Sequence, residues 1–274
     1  MEKVGIVGVG AMGSALLERL KLAGVGATVF DIASSAVHAA RSSGARIAPS
    51  AKAVAQASTL VDVVVRTDQE VLDCTIGKDG ILEGAAAGTL VLLHSTIRPE
   101  TTKKVAESAR QRDVHVIDAC MTAVPKVVRE GSLTFLVGGP AELVERARPH
   151  LLRMGKEVMH MGQLGTGNVA KLIKNLVTAS EALIVHEAVR IGLAGGIPCE
   201  EALEMMRKTA SVSTLNRWQE RFDLSGASPR LRAGQNLYDK DIPLAAEVGR
   251  QLGVDIPITE QLAATGRRLI ASKR

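Results

Sequence analysis

Within its first twenty residues the chain passes from a short apolar run, VGIVG at 4–8, through Gly8-Val9-Gly10-Ala11-Met12-Gly13, into a stretch where Ala15, Leu16, Leu17 and Leu20 recur at helical spacing. A buried strand that turns on glycine into a helix can continue in few ways. The next strand must lie parallel to the first, with the helix crossing one face of the sheet. TVFD at 28–31, LVDVVV at 60–65 and TLVLL at 89–93 supply such strands, separated by alanine-rich helical segments. HVIDA at 115–119, LTFLVGG at 133–139 and VMHM at 158–161 continue the series.

Beyond Gly165 the strands stop. About 28 residues follow with helical periodicity and no proline, and segments around 200–208, 241–252 and 258–271 also read as helices. DLSGASPRLRAG at 223–234 reads as a loop. The expected fold is an α/β Rossmann-like domain with a mainly parallel sheet, then a long connecting helix, then an all-α C-terminal domain. The boundaries are placed at 1–162, 163–194 and 195–274.

Composition narrows the partners. Five aromatic residues in 274, with 46% hydrophobic, require a core of close-packed Ala, Val, Leu and Ile. The net charge of +5 is spread along the chain without a basic block, so no nucleic-acid partner is expected. That charge suits anionic cofactors and carboxylate substrates, and it equally suits an ordinary soluble surface. Cys74, Cys120 and Cys199 are widely spaced, and the histidines, among them His38, His94, His115 and His186, show no ligand spacing. Neither a disulfide framework nor a metal site is expected. With no leader-like start and no long uncharged apolar run, the expectation is a cytoplasmic protein without membrane contact.

Gly8, Gly10 and Gly13 stand in GxGxxG spacing at a strand-to-helix turn. There small residues let the backbone approach a pyrophosphate and a helix N-terminus offers unpaired N–H groups, so Gly8, Gly10, Ala11, Met12 and Gly13 are candidate cofactor contacts. Asp31 closes the second strand, where a carboxylate accepts from adenosine ribose hydroxyls and repels a 2′-phosphate. NAD is expected over NADP, no Arg following directly; the competing role for Asp31 is a helix cap. In GQLGTGNVAKLIKN at 162–175, Lys171 and Asn175 lie four apart and share a helix face. A lone helical lysine is usually a solvated side chain, so its company decides.

That company resembles the β-hydroxyacid dehydrogenase family, the group of 3-hydroxyisobutyrate dehydrogenase and 6-phosphogluconate dehydrogenase. GVGAMG at 8–13, HSTIRP at 94–99, DACMTAV at 118–124, the GxxGxGxxxKxxxN pattern at 162–175 and KDIPLA at 240–245 follow the family's order along essentially the whole chain. The resemblance implies that Lys171 is the catalytic acid/base and Asn175 a substrate-binding residue. It further implies that Thr96 contacts the nicotinamide side, and that Lys240 closes over cofactor or substrate. Chemistry agrees: hydride leaves a carbinol carbon only as its hydroxyl loses a proton, so a neutral amine serves oxidation and an ammonium serves reduction. Burial beside apolar neighbours and Lys240 is expected to favour the neutral amine.

The substrate loop departs from the pattern. The family's D-x-P-V-S-G-G grips a carboxylate through serine and glycine backbone, whereas Thr122 keeps a hydroxyl and Ala123 and Val124 replace the glycines. Thr122 and Ala123 are the candidate substrate contacts. Lys126 and Arg129 either supply another anion contact or lie on an exposed helix face. The expected substrate is a small anionic 3-hydroxy acid or the matching semialdehyde. Imine reductases share the architecture but usually carry Asp or Tyr at the lysine position, and a non-catalytic NAD-binding relative would lack that lysine. A homodimer or homotetramer is expected, with Leu172, Leu176, Leu183, Ile184 and Ile191 available for burial.

Overall fold

The computed structural model describes residues 2–209, 221–223, 230–232, 237–251 and 256–271. The chain divides into two compact units, Met1–Lys171 and Leu172–Arg274.

The first unit is built on an eight-stranded sheet. Its strands are β1 (Val4–Val7), β2 (Ala27–Phe30), β3 (Arg46–Ile47), β4 (Leu60–Val63), β5 (Leu90–Leu93), β6 (His115–Met121), β7 (Thr134–Gly138) and β8 (Glu157–Gly162). The order is β3-β2-β1-β4-β5-β6-β7-β8, parallel except where β7 runs antiparallel to β6. Apolar side chains alternate between the two faces because successive residues of a strand point oppositely. Ile6, Leu60, Leu90, Leu92, Ile117 and Ala119 pack on one side with α1 (Ala11–Leu22) and α8 (Ala141–Met154). Val7, Val61, Val63, Val91 and Leu93 pack on the other with α3 (Ala51–Gln56) and α6 (Pro99–Arg110). Between these lie α2 (Ser34–Ser42), α4 (Asp68–Thr75), α5 (Ile81–Gly84) and α7 (Pro125–Arg129). The strand order reverses between β1 and β4, the position at which doubly wound sheets open a crevice at their carboxyl ends.

The long helix α9 (Thr166–Ala194) begins in the first unit, and the division between units falls inside it. The second unit holds the rest of α9, α10 (Cys199–Thr209), a π-helical turn (Leu237–Asp241), α11 (Ile242–Gln251) and α12 (Pro257–Ala271). Its core gathers Ala179, Leu183, Leu203, Phe222, Tyr238 and Leu262. The expectation that strands end before α9 needs correction: Phe222–Asp223 and Arg230–Leu231 form a short antiparallel pair. They fall partly inside the loop expected at 223–234; residues 224–229 and 233–234 of that loop lie outside the described residues, as does the side chain of Ile191. No described helix is long and apolar enough to cross a membrane.

Candidate active site

At the end of β1, Gly8 has φ +92°, and a Cβ there would overlap the Val64 carbonyl that follows β4. A Cβ on Gly13 would overlap the Gly8 carbonyl, so the glycine here lets α1 seat on its own turn. Gly10 differs. It is exposed, its absent Cβ would meet nothing within 4 Å, and as N-cap of α1 it provides no side-chain cap, with no acidic residue in the first turn. The N-terminus of α1 is therefore an open cradle with donors and partial positive charge, which fits a diphosphate. Ala11 is exposed and Met12 is half-buried against the core. Asp31 is brought to this turn directly: its Oδ2 accepts from Val9 N at 2.7 Å and its Oδ1 from Ala33 N at 2.8 Å. Ala33 is the N-cap residue of α2, which has no side-chain cap, so Asp31 holds the entry to that helix through the Ala33 N–H rather than capping its first turn.

The ends of β4, β5 and β6 are joined by polar side chains. Ser95 Oγ donates to Val65 O at 2.7 Å and accepts from Val65 N at 3.3 Å, locking the loop that carries half-buried Thr96 to the one after β4. Beneath it His94 reaches Asp62 through Nε2 at 2.8 Å and the Ala119 carbonyl through Nδ1 at 2.6 Å. His150 of α8 reaches the other Asp62 oxygen at 2.8 Å. Burial works against the Asp62 charge, but the His150 and His94 contacts outweigh it and hold the carboxyl well below the usual range.

Along β6, Asp118 is fully buried and accepts from Gly165 N at 2.7 Å and Asn168 N at 2.8 Å. Burial pushes its carboxyl up to about 6, against the lowering effect of those N–H groups. Asn168 in turn accepts from Thr102 Oγ1 at 2.8 Å and packs its amide toward Cys120. β6 leads to Thr122, whose backbone N and Oγ1 both donate to the Thr134 carbonyl, at 3.2 and 2.9 Å. Ala123 is half-buried against the core, and Val124 is the exposed residue ahead of α7. Lys126 and Arg129 are both exposed on α7, and Arg129 is paired with Glu18 of α1 at 2.8 Å.

Lys171, half-buried, follows Asn168 by one turn of α9, and Asn175 follows Lys171 by another. In the second unit Asn175 is buried and donates to Asp241 Oδ2 at 2.8 Å, and Lys240 lies 3.4 Å from Asp241 Oδ1. Asp118 thus couples the strand leading to Thr122 and Ala123 with the helix bearing Lys171, while the turn at Gly8–Gly13 gathers with Asp31 and the β4 end. Sequence reasoning missed Asp118, Asn168, Asp241 and the Asp62–His94–His150 cluster as polar anchors. The signal was an acid within an otherwise apolar strand, in LVDV and in HVIDACM. Among the described residues no cluster of three His, Cys, Asp or Glu could hold a metal.

Residues 3–162 match the NAD binding domain of 6-phosphogluconate dehydrogenase, and residues 165–273 the domain described as NAD-binding of NADP-dependent 3-hydroxyisobutyrate dehydrogenase. An NAD-dependent L-serine dehydrogenase of Pseudomonas aeruginosa is 33% identical over 264 residues, covering 94% of this chain and 89% of the relative. A Mycobacterium tuberculosis 3-hydroxyisobutyrate dehydrogenase solved with L-serine superimposes with a TM-score of 0.85 at 23% identity, over 99% of this chain and 94% of the other. An imine reductase from Myxococcus stipitatus, a V8 variant in complex with NAD+, gives 0.71 at 20% identity, over 99% and 94%.

Proposed function

The chain belongs to the β-hydroxyacid dehydrogenase family, and from that premise we propose that it oxidises a small 3-hydroxy acid, or reduces the matching semialdehyde, with NAD as cofactor and Lys171 as acid/base. The observation that carries the proposal is the open cradle at Gly10 with Asp31 fixed beside it. NAD, when bound there, accepts the hydride in oxidation and returns it in reduction. Gly8, Gly10, Ala11, Met12 and Gly13 would hold the diphosphate, Asp31 the adenosine ribose, and Thr96 and Lys240 the nicotinamide end. Lys171 takes the proton of the substrate hydroxyl during oxidation and gives it back during reduction. Asn175, the Thr122 hydroxyl and the Ala123 backbone orient the substrate. Because both Thr122 donors are engaged with Thr134, its hydroxyl serves the substrate first as an acceptor.

Lys171 separates this assignment from imine reduction, and the likeness to an imine reductase at 20% identity concerns the fold. We further propose a homodimer or homotetramer. Leu172 and Leu183, considered from sequence for that contact, are buried within the chain, and among the described residues the large aliphatic side chains that α9 exposes are Ile173, Val177 and Ile184.

The test is a screen of NAD reduction across small hydroxy acids and of NADH oxidation across their aldehydes, repeated with Lys171→Met. That variant should keep NADH affinity within about threefold and lose about two to four orders of magnitude in turnover, the span of a lost general acid/base. Near-normal turnover in Lys171→Met would overturn the mechanism.

A further inference from the structure

Helix α9 starts in an unusual way. A helix leaves its first N–H groups without intrahelical partners, and a Ser, Thr, Asp or Asn side chain at the N-cap ordinarily takes one of them. Here α9 starts at Thr166, and the residue before it, Gly165, has no side chain to offer. The acceptor comes from the middle of the sheet instead: both oxygens of buried Asp118 are used, one on Gly165 N and one on Asn168 N. The fit has no slack. A Cβ on Gly167 would lie 2.5 Å from the Leu136 carbonyl and 2.7 Å from Asp118 Oδ2, and one on Gly138 would lie 2.7 Å from Asp118 Oδ1. The same turn is pinned on its flank by Asn168, which accepts from Thr102, and by Ala170, which packs on Cys120 and Leu136.

We propose that Asp118 is a positioning residue for the reaction: its carboxylate, by capping α9 from β6, sets the azimuth and height of the helix and so places the Lys171 amine against a substrate held by the Thr122–Ala123 end of the same strand. The proposal rests on Lys171 as acid/base. A displacement of about 1 Å at a reacting group is enough to cost about a hundredfold in rate, so a cap that fixes the first turn bears directly on turnover. The carboxylate form is the competent one, since a protonated oxygen would turn a donor toward a backbone N–H. Burial brings that proton uptake to about 6. After burial, the largest influences on Asp118 are the backbone N–H groups of Gly165, Asn168, Asp118 itself and Gly167, not a charged side chain. From α6, Lys103 brings its Cε to 3.6 Å from where a Cβ on Gly165 would stand, and the nearest titratable neighbours in sequence on β6 and α9 are Cys120 and Lys171.

Asp118→Asn tests this, with glyoxylate, succinic semialdehyde and tartronate semialdehyde as trial acceptors and the best of them used throughout. Reduction is the informative direction, because Lys171 then acts protonated and contributes only an alkaline limb to the pH profile. The variant should bind NADH within about threefold of wild type, read by cofactor fluorescence, and lose about ten- to a hundredfold in kcat with KM changed less than about threefold. In the protein without cofactor, hydrogen exchange at residues 163–170 should quicken about tenfold or more, confined to that segment. The wild-type acid limb near pH 6 should be flat in the variant. If Asp118→Asn binds NADH but keeps kcat within about threefold at about pH 7.5, the proposal is overturned. Should Asp118→Asn fail to fold, Asp118→Ser, which retains a small acceptor, is read by the same criteria. Should neither fold, the wild type decides: an acid limb in kcat not followed by NADH affinity supports the proposal, and a flat profile to about pH 5.5 overturns it. Loss of turnover in Lys171→Met with no effect of Asp118 would retire the positioning role alone, whereas normal turnover in Lys171→Met would retire the premise.

Discussion

Each Asp31 carboxylate oxygen accepts one backbone N–H, and in the function proposed above its remaining lone pairs would take the ribose diol while its charge would repel a 2′-phosphate. NAD(H) should be used at least about tenfold better than NADP(H) in kcat/KM, equal to about 1.4 kcal/mol, and Asp31→Asn should narrow the gap. Steady-state kinetics with both cofactors decides it; equal or better use of NADP(H) by the wild type would sink the role. Asp31 was legible because its place is fixed by the strand that ends there and by the glycine turn before it. Asp118 was not legible in the same way, since a single acid inside an apolar strand does not say which N–H groups, 47 and 50 residues away, will meet it.

At the scale of elements, the strands were legible where they are buried and largely apolar on both faces, as in β1, β4, β5 and β6. The edge strand β3 was not: Arg46–Ile47 offers two partly exposed residues and no period to read. The antiparallel direction of β7 is set by packing, since an apolar run reads the same in either direction. Charge inside these strands has its own consequence. Asp62 joins β4 to β5 through His94 and to α8 through His150, and removing one member of a buried ionic group strands the others. Asp62→Asn should therefore cost about 3 kcal/mol or more in denaturant unfolding at neutral pH. Because the folded-state carboxyl lies below its ordinary value, its contribution is present above the unfolded value and is lost as pH falls toward the folded one. Wild type should lose stability on acidification below about pH 4 more steeply than Asp62→Asn, and parallel curves would refute the assignment. The loop between β6 and α7 carries the other departure. Restoring Ala123→Gly with Val124→Gly should raise relative activity on 3-hydroxyisobutyrate or tartronate semialdehyde by about tenfold, the worth of one added backbone hydrogen bond or one relieved clash. Ordinary efficiency of the unmodified enzyme on both would dismiss the loop as a determinant of substrate choice.

For the molecule as a whole, most large aliphatic side chains among the described residues are accounted for by the cores of the two units; Leu22, Ile32 and Ile258 are exposed, and one face of α9 exposes three together. Ile173, Val177 and Ile184 are 58, 57 and 65% exposed, and their spacing of four and seven puts them along one side of the helix. Burying such a side chain is worth about 1.5–3 kcal/mol, so three in a row, repeated on a second copy, bring several kcal/mol to an interface. A self-complementary patch of this kind suits twofold symmetry, in which each copy covers the other's stripe. Light scattering on the purified protein should therefore give a dimer or tetramer mass, and Ile184→Glu should shift it toward the monomer, because an ionised carboxyl in an apolar contact must be desolvated without a partner. NADH affinity should survive that substitution, since Ile184 is not among the proposed cofactor contacts, Gly8–Gly13, Asp31, Thr96 and Lys240. A monomeric wild type at tens of micromolar, or an Ile184→Glu protein with unchanged mass, would show that the exposed face of α9 serves no self-association.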